Sequence, residues 1–233
     1  MTSLGTILSV WAHPDDESYC CAGIMAMAVE AGQRVACVTA TRGELGSTDD
    51  ERWPPGAPLA EVRTQELMAS LAELGVTEHW WLDYPDGGCV DIDDAEAVAR
   101  LRAIIEDVQP NSILTFGPDG ATWHTDHIAV SRWSHLATQG TDIHVYNMAN
   151  TRQWIENMSQ YVPVEMVMMD DRAPFTVEPE QCVLNPRFDD AILDRKYRAM
   201  VAQKSQIEPM MAMMGEDAFR EMLGEETFTD DRW

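Results

Sequence analysis

Hydrophobic and polar positions along the chain follow two regimes, with the change near residue 150. Before it, short apolar runs alternate with amphipathic stretches, the signature of βαβ units around a parallel sheet. Residues 6–12 predict a buried first strand. Residues 18–31 predict a helix opened by acidic residues, which suit its positive N-terminal end, and stopped by Gly32. The pattern continues with a strand at 34–39, a helix at 59–74 ended by Gly75, and a strand at 79–82. A helix at 94–107 takes Asp94 as its cap and is broken off by Pro110. A strand at 112–116, a helix at 126–138 and a strand at 143–148 follow. After residue 150 the signal thins. Residues 153–158 read as helical, 164–169, 175–177 and 182–184 as short strands separated by prolines, and 189–205 as one long amphipathic helix. The expectation is an α/β fold: a Rossmann-like, doubly wound, mostly parallel sheet in residues 1–150, with 151–233 a C-terminal cap on the same domain.

Composition narrows the function classes. With 233 residues and 45% hydrophobic content, the chain can bury the core of one full-sized domain. No run of ~18 apolar residues exists, so no membrane span is expected. The first residues lack a basic region and a cleavage signal and read as a strand, not a secretory leader. Net charge is −24, from 40 acidic and 16 basic residues, only two of them lysine. Such a surface repels a phosphate backbone, which argues against a nucleic-acid partner; solubility or life at raised salt accounts for the acidity. The five cysteines are odd in number and contain no C-x-x-C pair. They indicate free thiols in a reducing, cytoplasmic compartment, with buried structural roles as the default.

The candidate chemistry follows strand ends. Residues 12–17 read Ala-His-Pro-Asp-Asp-Glu directly after the first strand, and residues 124–127 read His-Thr-Asp-His after the fourth. Charges at the mouth of a buried strand are costly unless paired, and two histidines with a carboxylate are the ligand types of a catalytic zinc site. The polar connections 13–17, 41–58, 83–91 and 117–127 all follow strands, the edge where open parallel sheets bind ligands. Asp15 and Asp16 are adjacent and point different ways, so one can ligate a metal while the other serves as general base. His124 and His127 share a helix face without being equivalent, so one can ligate while the other reaches a substrate oxygen. Asp126 suits the support of an imidazole N–H. His79, His135 and His144 lack such company and read as surface or core histidines. Glu17 reads as a helix cap or a loop-backbone partner. Met210, Met211, Met213 and Met214 read as packing, with a mobile lid as the alternative. Trp53 reads equally as a sugar platform or a loop anchor.

On these motifs the chain resembles the PIG-L/LmbE-like deacetylases. The likeness extends to Thr41-Arg-Gly-Glu44-Leu-Gly46, to Arg63 and Glu66 in the next helix, and to the Tyr84-Pro-Asp86-Gly87 turn. The resemblance implies a zinc-dependent N-deacetylase of a small N-acetyl amino sugar or glycoconjugate, with Fe2+ or another divalent metal as the alternative ion. It implies His13, Asp16 and His127 as metal ligands and Asp15 as general base. It implies that His124 stabilises the oxyanion or protonates the leaving amine, and that Asp126 orients the catalytic histidine. Arg63 and Asp86 would lie near the substrate, and Glu44 would border it or serve equally as a backbone-bonding loop acid. An amidase of thiol conjugates or another N-acyl small molecule is the competing enzyme reading; a non-catalytic metal- or nucleotide-binding module is the competing class. No G-x-G-x-x-G follows the first strand, against the dinucleotide version. A homo-oligomer is compatible with all of these. The likeness fades toward the C-terminus, where Lys196, Ala199, Ser205 and Gln206 fit the family's last long helix but Gln203 stands where histidine is usual.

Overall fold

Residues 3–46 and 50–230 are described by the structure, a computed structural model. Six strands form one sheet in the order β3-β2-β1-β4-β5-β6. They are β1 (Ile7–Trp11), β2 (Val35–Thr41), β3 (Glu78–Tyr84), β4 (Ser112–Phe116), β5 (His144–Met148) and β6 (Phe228–Thr229). The first five pair in parallel, and β6 adds antiparallel to β5. Every residue of β1, β2 and β4 is buried. Both faces of these strands are covered, so they read as unbroken apolar runs rather than alternations.

Helices α1 (Asp16–Glu30), α2 (Ala57–Leu74) and α6 (Asp190–Ala202) pack together, as do α3 (Asp94–Val108) and α4 (Thr125–Thr138). Right-handed crossovers place these two groups on opposite faces. The strand order reverses between β1 and β4, so their following loops diverge to opposite faces and leave a crevice at the carboxyl ends. The two histidine-carboxylate motifs sit on those two loops.

The helix stops follow the expected chemistry at Gly75, which takes a left-handed φ of 77° after α2. The α3 cap differs from expectation. Asp93, not Asp94, accepts the N–H groups of Ala95 and Glu96. Asp94 instead turns outward to Arg132 and the Trp133 indole.

The C-terminal third opens with α5 (Arg152–Met158), close to the expected helix, and then departs further. Residues 164–166 form a 3-10 turn, not a strand. Val177 and Leu184 contribute only single bridges, to Thr151 and Phe228. Segments this short, tied by one bridge each, cannot bury an alternating face, and their prolines remove ladder donors. The expected long helix ends at Ala202. Gln203, at φ −91° and ψ 56°, separates α6 from α7 (Lys204–Met214), which α8 (Glu216–Met222) follows. Met214 is buried with Met200, Ile207, Phe219 and Leu223 in a second cluster, with Met210 and Met211 packed against it. Four cysteines are buried and Cys182 is half-exposed, all free. No helix among the described residues is long and apolar enough to cross a membrane.

Candidate active site

His13 and His127 meet across the β1/β4 crevice. His13 Nδ1 lies 3.1 Å from His127 Nε2. Each ring's far nitrogen is already committed: His127 Nδ1 to the Gly120 carbonyl at 2.8 Å, His13 Nε2 to Asp86 Oδ1 at 3.0 Å and Asp126 Oδ2 at 3.2 Å. Those acceptors hold a proton on each far nitrogen, so the two facing nitrogens are the ones that can offer lone pairs to a cation. Asp16 closes the triangle, with Oδ2 3.6 Å from His13 Nδ1 and Oδ1 3.5 Å from His127 Nε2. Two imidazole nitrogens and a carboxylate converging in this way form a donor set that fits a divalent cation.

Burial opposes a charge on His13, but Asp126, Asp16 and Asp86 outweigh it and raise its pKa well above the ordinary value; the site favours positive charge at this ring, and a cation at Nδ1 would take the place of the proton held there without one. Burial pulls the His127 pKa down to about 4, which keeps it a neutral ligand. For Asp16 burial acts upward, but His127 and His13 prevail and hold the carboxyl well below its usual range. His127 stacks on Phe116, at 4.0 Å between centroids and 6° between planes, which fixes its ring.

His124 also approaches this centre, its nearest ring nitrogen falling within 4.8 Å of those of His13 and His127. It caps α4: its Nδ1 accepts the Asp126 N–H at 3.1 Å. With Nδ1 accepting, the proton of neutral His124 sits on Nε2, the nitrogen left to donate, and its ring nitrogen also completes a group with His13 and His127 that could hold a metal ion. Burial, with His13 nearby, lowers its pKa and keeps it neutral.

Asp15 occupies strained backbone at φ 103°, in the left-handed region that disfavours side chains. Glu17 Oε2 accepts the Asp15 N–H at 3.0 Å and so supports that turn. Glu17 is fully buried and also accepts from Ser18 Oγ and Gln203 Nε2, each at 2.6 Å. Burial pushes the Asp15 carboxyl up to about 7; Asp16 and Glu17 add to the push, while Arg63 and His13 oppose it. Ala121 and Trp123, just ahead of His124, also have left-handed φ, so both motif turns are locally strained.

Three expected substrate neighbours take part in the network around these motifs. Arg63 is 4% exposed. Its guanidinium donates to the Pro14 and Gly43 carbonyls and lies 3.3 Å from Asp15 Oδ1. It thereby ties the first motif turn to the loop after β2. Asp86 divides between His13 and the Leu45 N–H, 2.8 Å away. Glu44 Oε1 accepts the Asp86 N–H at 2.9 Å, and its Oε2 is buried without a hydrogen-bond partner. Asp126 supports an imidazole nitrogen, as expected, and the ring is that of His13 across the crevice. It is fully buried, accepts from the Gly87 and Cys89 amides, and orients His13 rather than His124. The reason is geometric: a residue at the second helical position after a cap points away from that cap, toward the adjoining loop. Trp53 is buried with Arg52 stacked over it, an anchor for its loop; residues 47–49 of that loop lie outside the described set. Sequence reasoning missed Gly120, whose carbonyl fixes His127. Its signal was the Pro118-Asp-Gly turn after β4; a Cβ there would come within 2.7 Å of the His127 Cβ.

The profile of the PIG-L family, described as GlcNAc-PI de-N-acetylase, matches residues 8–150. The chain belongs to the PIG-L family. A relative from Mycobacterium sp. (strain KMS), named 1D-myo-inositol 2-acetamido-2-deoxy-alpha-D-glucopyranoside deacetylase, is 32% identical over 228 residues, covering 86% of this chain and 74% of the relative. A protein of the same name from Kineococcus radiotolerans is 38% identical over 152 residues, 53% of this chain; the match spans only 42% of that relative's length. Among solved structures, the N,N'-diacetylchitobiose deacetylase of Pyrococcus horikoshii superposes with a TM-score of 0.62 over 96% of this chain and 82% of its own, at 19% identity, a likeness of fold. The matched residues 8–150 of this PIG-L chain contain both motif loops and all five parallel strands but the first residue of β1.

Proposed function

We propose that this PIG-L chain is a metal-dependent hydrolase that removes the N-acetyl group from an amino sugar carried on a polar aglycone. The observation that supports it most is the convergence of His13 Nδ1, His127 Nε2 and the Asp16 carboxylate, with Asp15 beside them and not among them. His13, Asp16 and His127 would hold one divalent ion, zinc by donor type. When bound, that ion supplies Lewis-acid chemistry: it acidifies a water and polarises the amide carbonyl.

Asp15, near pKa 7, accepts the proton of the attacking water, the value best matched to a base at neutral pH. The oxygen adds to the acetyl carbonyl. His124 Nε2–H donates to the oxyanion as charge develops there. The C–N bond then breaks, and Asp15 returns its proton to the departing amine, leaving acetate and the free amino sugar. Asp86 and Asp126 hold the His13 ring. Arg63 and Glu17 hold the turn that presents Asp15, and act as positioning residues rather than substrate contacts. The C-terminal segment is part of the same domain.

A panel of N-acetylglucosaminyl-inositol, N-acetylglucosamine, N,N'-diacetylchitobiose and an N-acetylcysteine conjugate, scored by amine release from zinc-loaded protein, tests this reading. The inositol glycoside should be the best substrate. Amine release from the thiol conjugate alone would establish the amidase reading instead, and release from none would overturn both.

A further inference from the structure

Helix α1 is continuous in the chain but broken in its hydrogen-bond ladder. Cys21, at φ −150° and ψ 16°, is not helical. In an unbroken helix the Gly23 N–H would donate to the Tyr19 carbonyl, and that of Ile24 to Cys20. Here both amides donate to the Glu226 carboxylate, Gly23 to Oε1 at 2.7 Å and Ile24 to Oε2 at 2.9 Å. The Lys196 ammonium lies 2.8 Å from Glu226 Oε1 and donates to the Tyr19 carbonyl at 3.3 Å. The pair is buried, Lys196 at 1% and Glu226 at 0% exposure. A Lys–Glu ion pair is thus inserted into the helix. The ammonium closes the carbonyl end of the front turn, and the carboxylate caps the amide end of the rear segment. Each charge has the sign that its helix end favours.

The front turn, residues 16–20, carries Asp16 and follows directly on Asp15. The rear segment is wedged in the core, where Gly23 packs so closely under Phe188 that a Cβ would lie 2.6 Å from its ring. With the rear fixed, the break at Cys21 decides where the front turn points. A buried ion pair is a weak source of stability compared with apolar packing. Its four hydrogen-bonded contacts across the break supply a geometric role instead. We propose that Lys196 and Glu226, two residues remote from the crevice, are positioning residues for the metal site: by splitting α1 they set the direction of its first turn, and so the stance of Asp16 toward His13 and His127. This inference rests on the assignment of Asp16 as a ligand.

The test is the zinc dissociation constant of the full chain, measured against a chromophoric chelator together with thermal unfolding. The variants are Glu226→Gln, Lys196→Met and the double variant, with Leu101→Ala as a buried control in α3. Each single variant leaves a buried charge unpaired; the double does not, so it remains the folded comparison if the singles fail. The double should bind zinc about 10–100-fold more weakly than wild type, the usual cost of losing support behind a ligand. Leu101→Ala should lose stability and keep its zinc affinity. A double variant with wild-type affinity would overturn the proposal, as would an equal affinity loss in Leu101→Ala. In the wild-type chain, zinc should slow hydrogen exchange at the Gly23 and Ile24 amides more than at Leu101, because coupling between sites is reciprocal; uniform or absent slowing counts against it. The two readings fail separately. If His13→Ala keeps wild-type zinc affinity, the ligand assignment is wrong. If His13→Ala loses zinc and the double variant does not, only the role of the ion pair is wrong.

Discussion

The carboxyl edge of the sheet and the C-terminal third are built on different terms. At the edge, polar side chains answer one another across the loops after β1, β3 and β4 and from helix α2: His13 to Asp86 and Asp126, His127 to Gly120, Asp15 to Glu17 and Arg63. In the C-terminal third, stability comes from a small apolar cluster of Val162, Met200, Ile207, Met214, Phe219 and Leu223, and from short elements joined by single bridges. Yet this region reaches the site from behind. Gln203 donates to Glu17, Ser205 to Glu66, and Lys196 and Glu226 enter α1. The contrast separates chemistry, held on the strand loops, from alignment, part of which comes from residues about two hundred positions away.

Three substitutions probe that separation, from the largest effect on turnover to the smallest. Asp15→Asn removes a base and no ligand. It should retain zinc while turnover falls by about 10²–10⁴-fold; loss of zinc here, with retention in Asp16→Asn, would exchange the roles of the two aspartates. Arg63→Met should lower kcat/KM by roughly 10²-fold, since a small displacement of reacting groups has that cost. Because both terminal guanidinium nitrogens are held by Pro14, Gly43 and Asp15, the loss should be equal on the sugar and on a minimal N-acetyl compound. A selective loss on the sugar would restore Arg63 to the substrate. Phe219→Ala, deep in the C-terminal cluster, should cost roughly 3–5 kcal/mol of stability yet leave kcat and zinc affinity unchanged at a temperature where the protein is folded. A large fall in kcat there would show that the C-terminal cluster shares in the chemistry.

The same contrast explains what could be read from the sequence. Strands β1, β2 and β4 are buried along their whole length, so their apolar runs stand out, and β4 coincides with the expected 112–116. His13, Asp16, His124 and His127, which the structure brings together, were legible as candidates because each motif is local and directly follows a strand. Their division of labour was less legible. Nothing local tells that Asp126 turns to His13 across the crevice, or that Asp86 joins it from the loop after β3. That Arg63 is buried and tied to Pro14 and Gly43 was not legible, because burial is not visible in a sequence that places it on an amphipathic helix. The break in α1 was invisible for a stronger reason: its cause, Glu226, lies more than two hundred residues downstream. Beyond residue 150, two-residue pairings such as β6 leave no periodic signal at all.

The central claim is that a divalent ion at His13, Asp16 and His127 drives hydrolysis of an N-acetyl group. Amine release from N-acetylglucosaminyl-inositol, followed in one sample through chelator treatment and zinc titration, tests it most directly. Activity should vanish as metal is stripped and return in full at one zinc per chain, and His13→Ala should recover none of it. Amine release that persists in fully metal-free protein, or that returns equally in His13→Ala, would contradict the account.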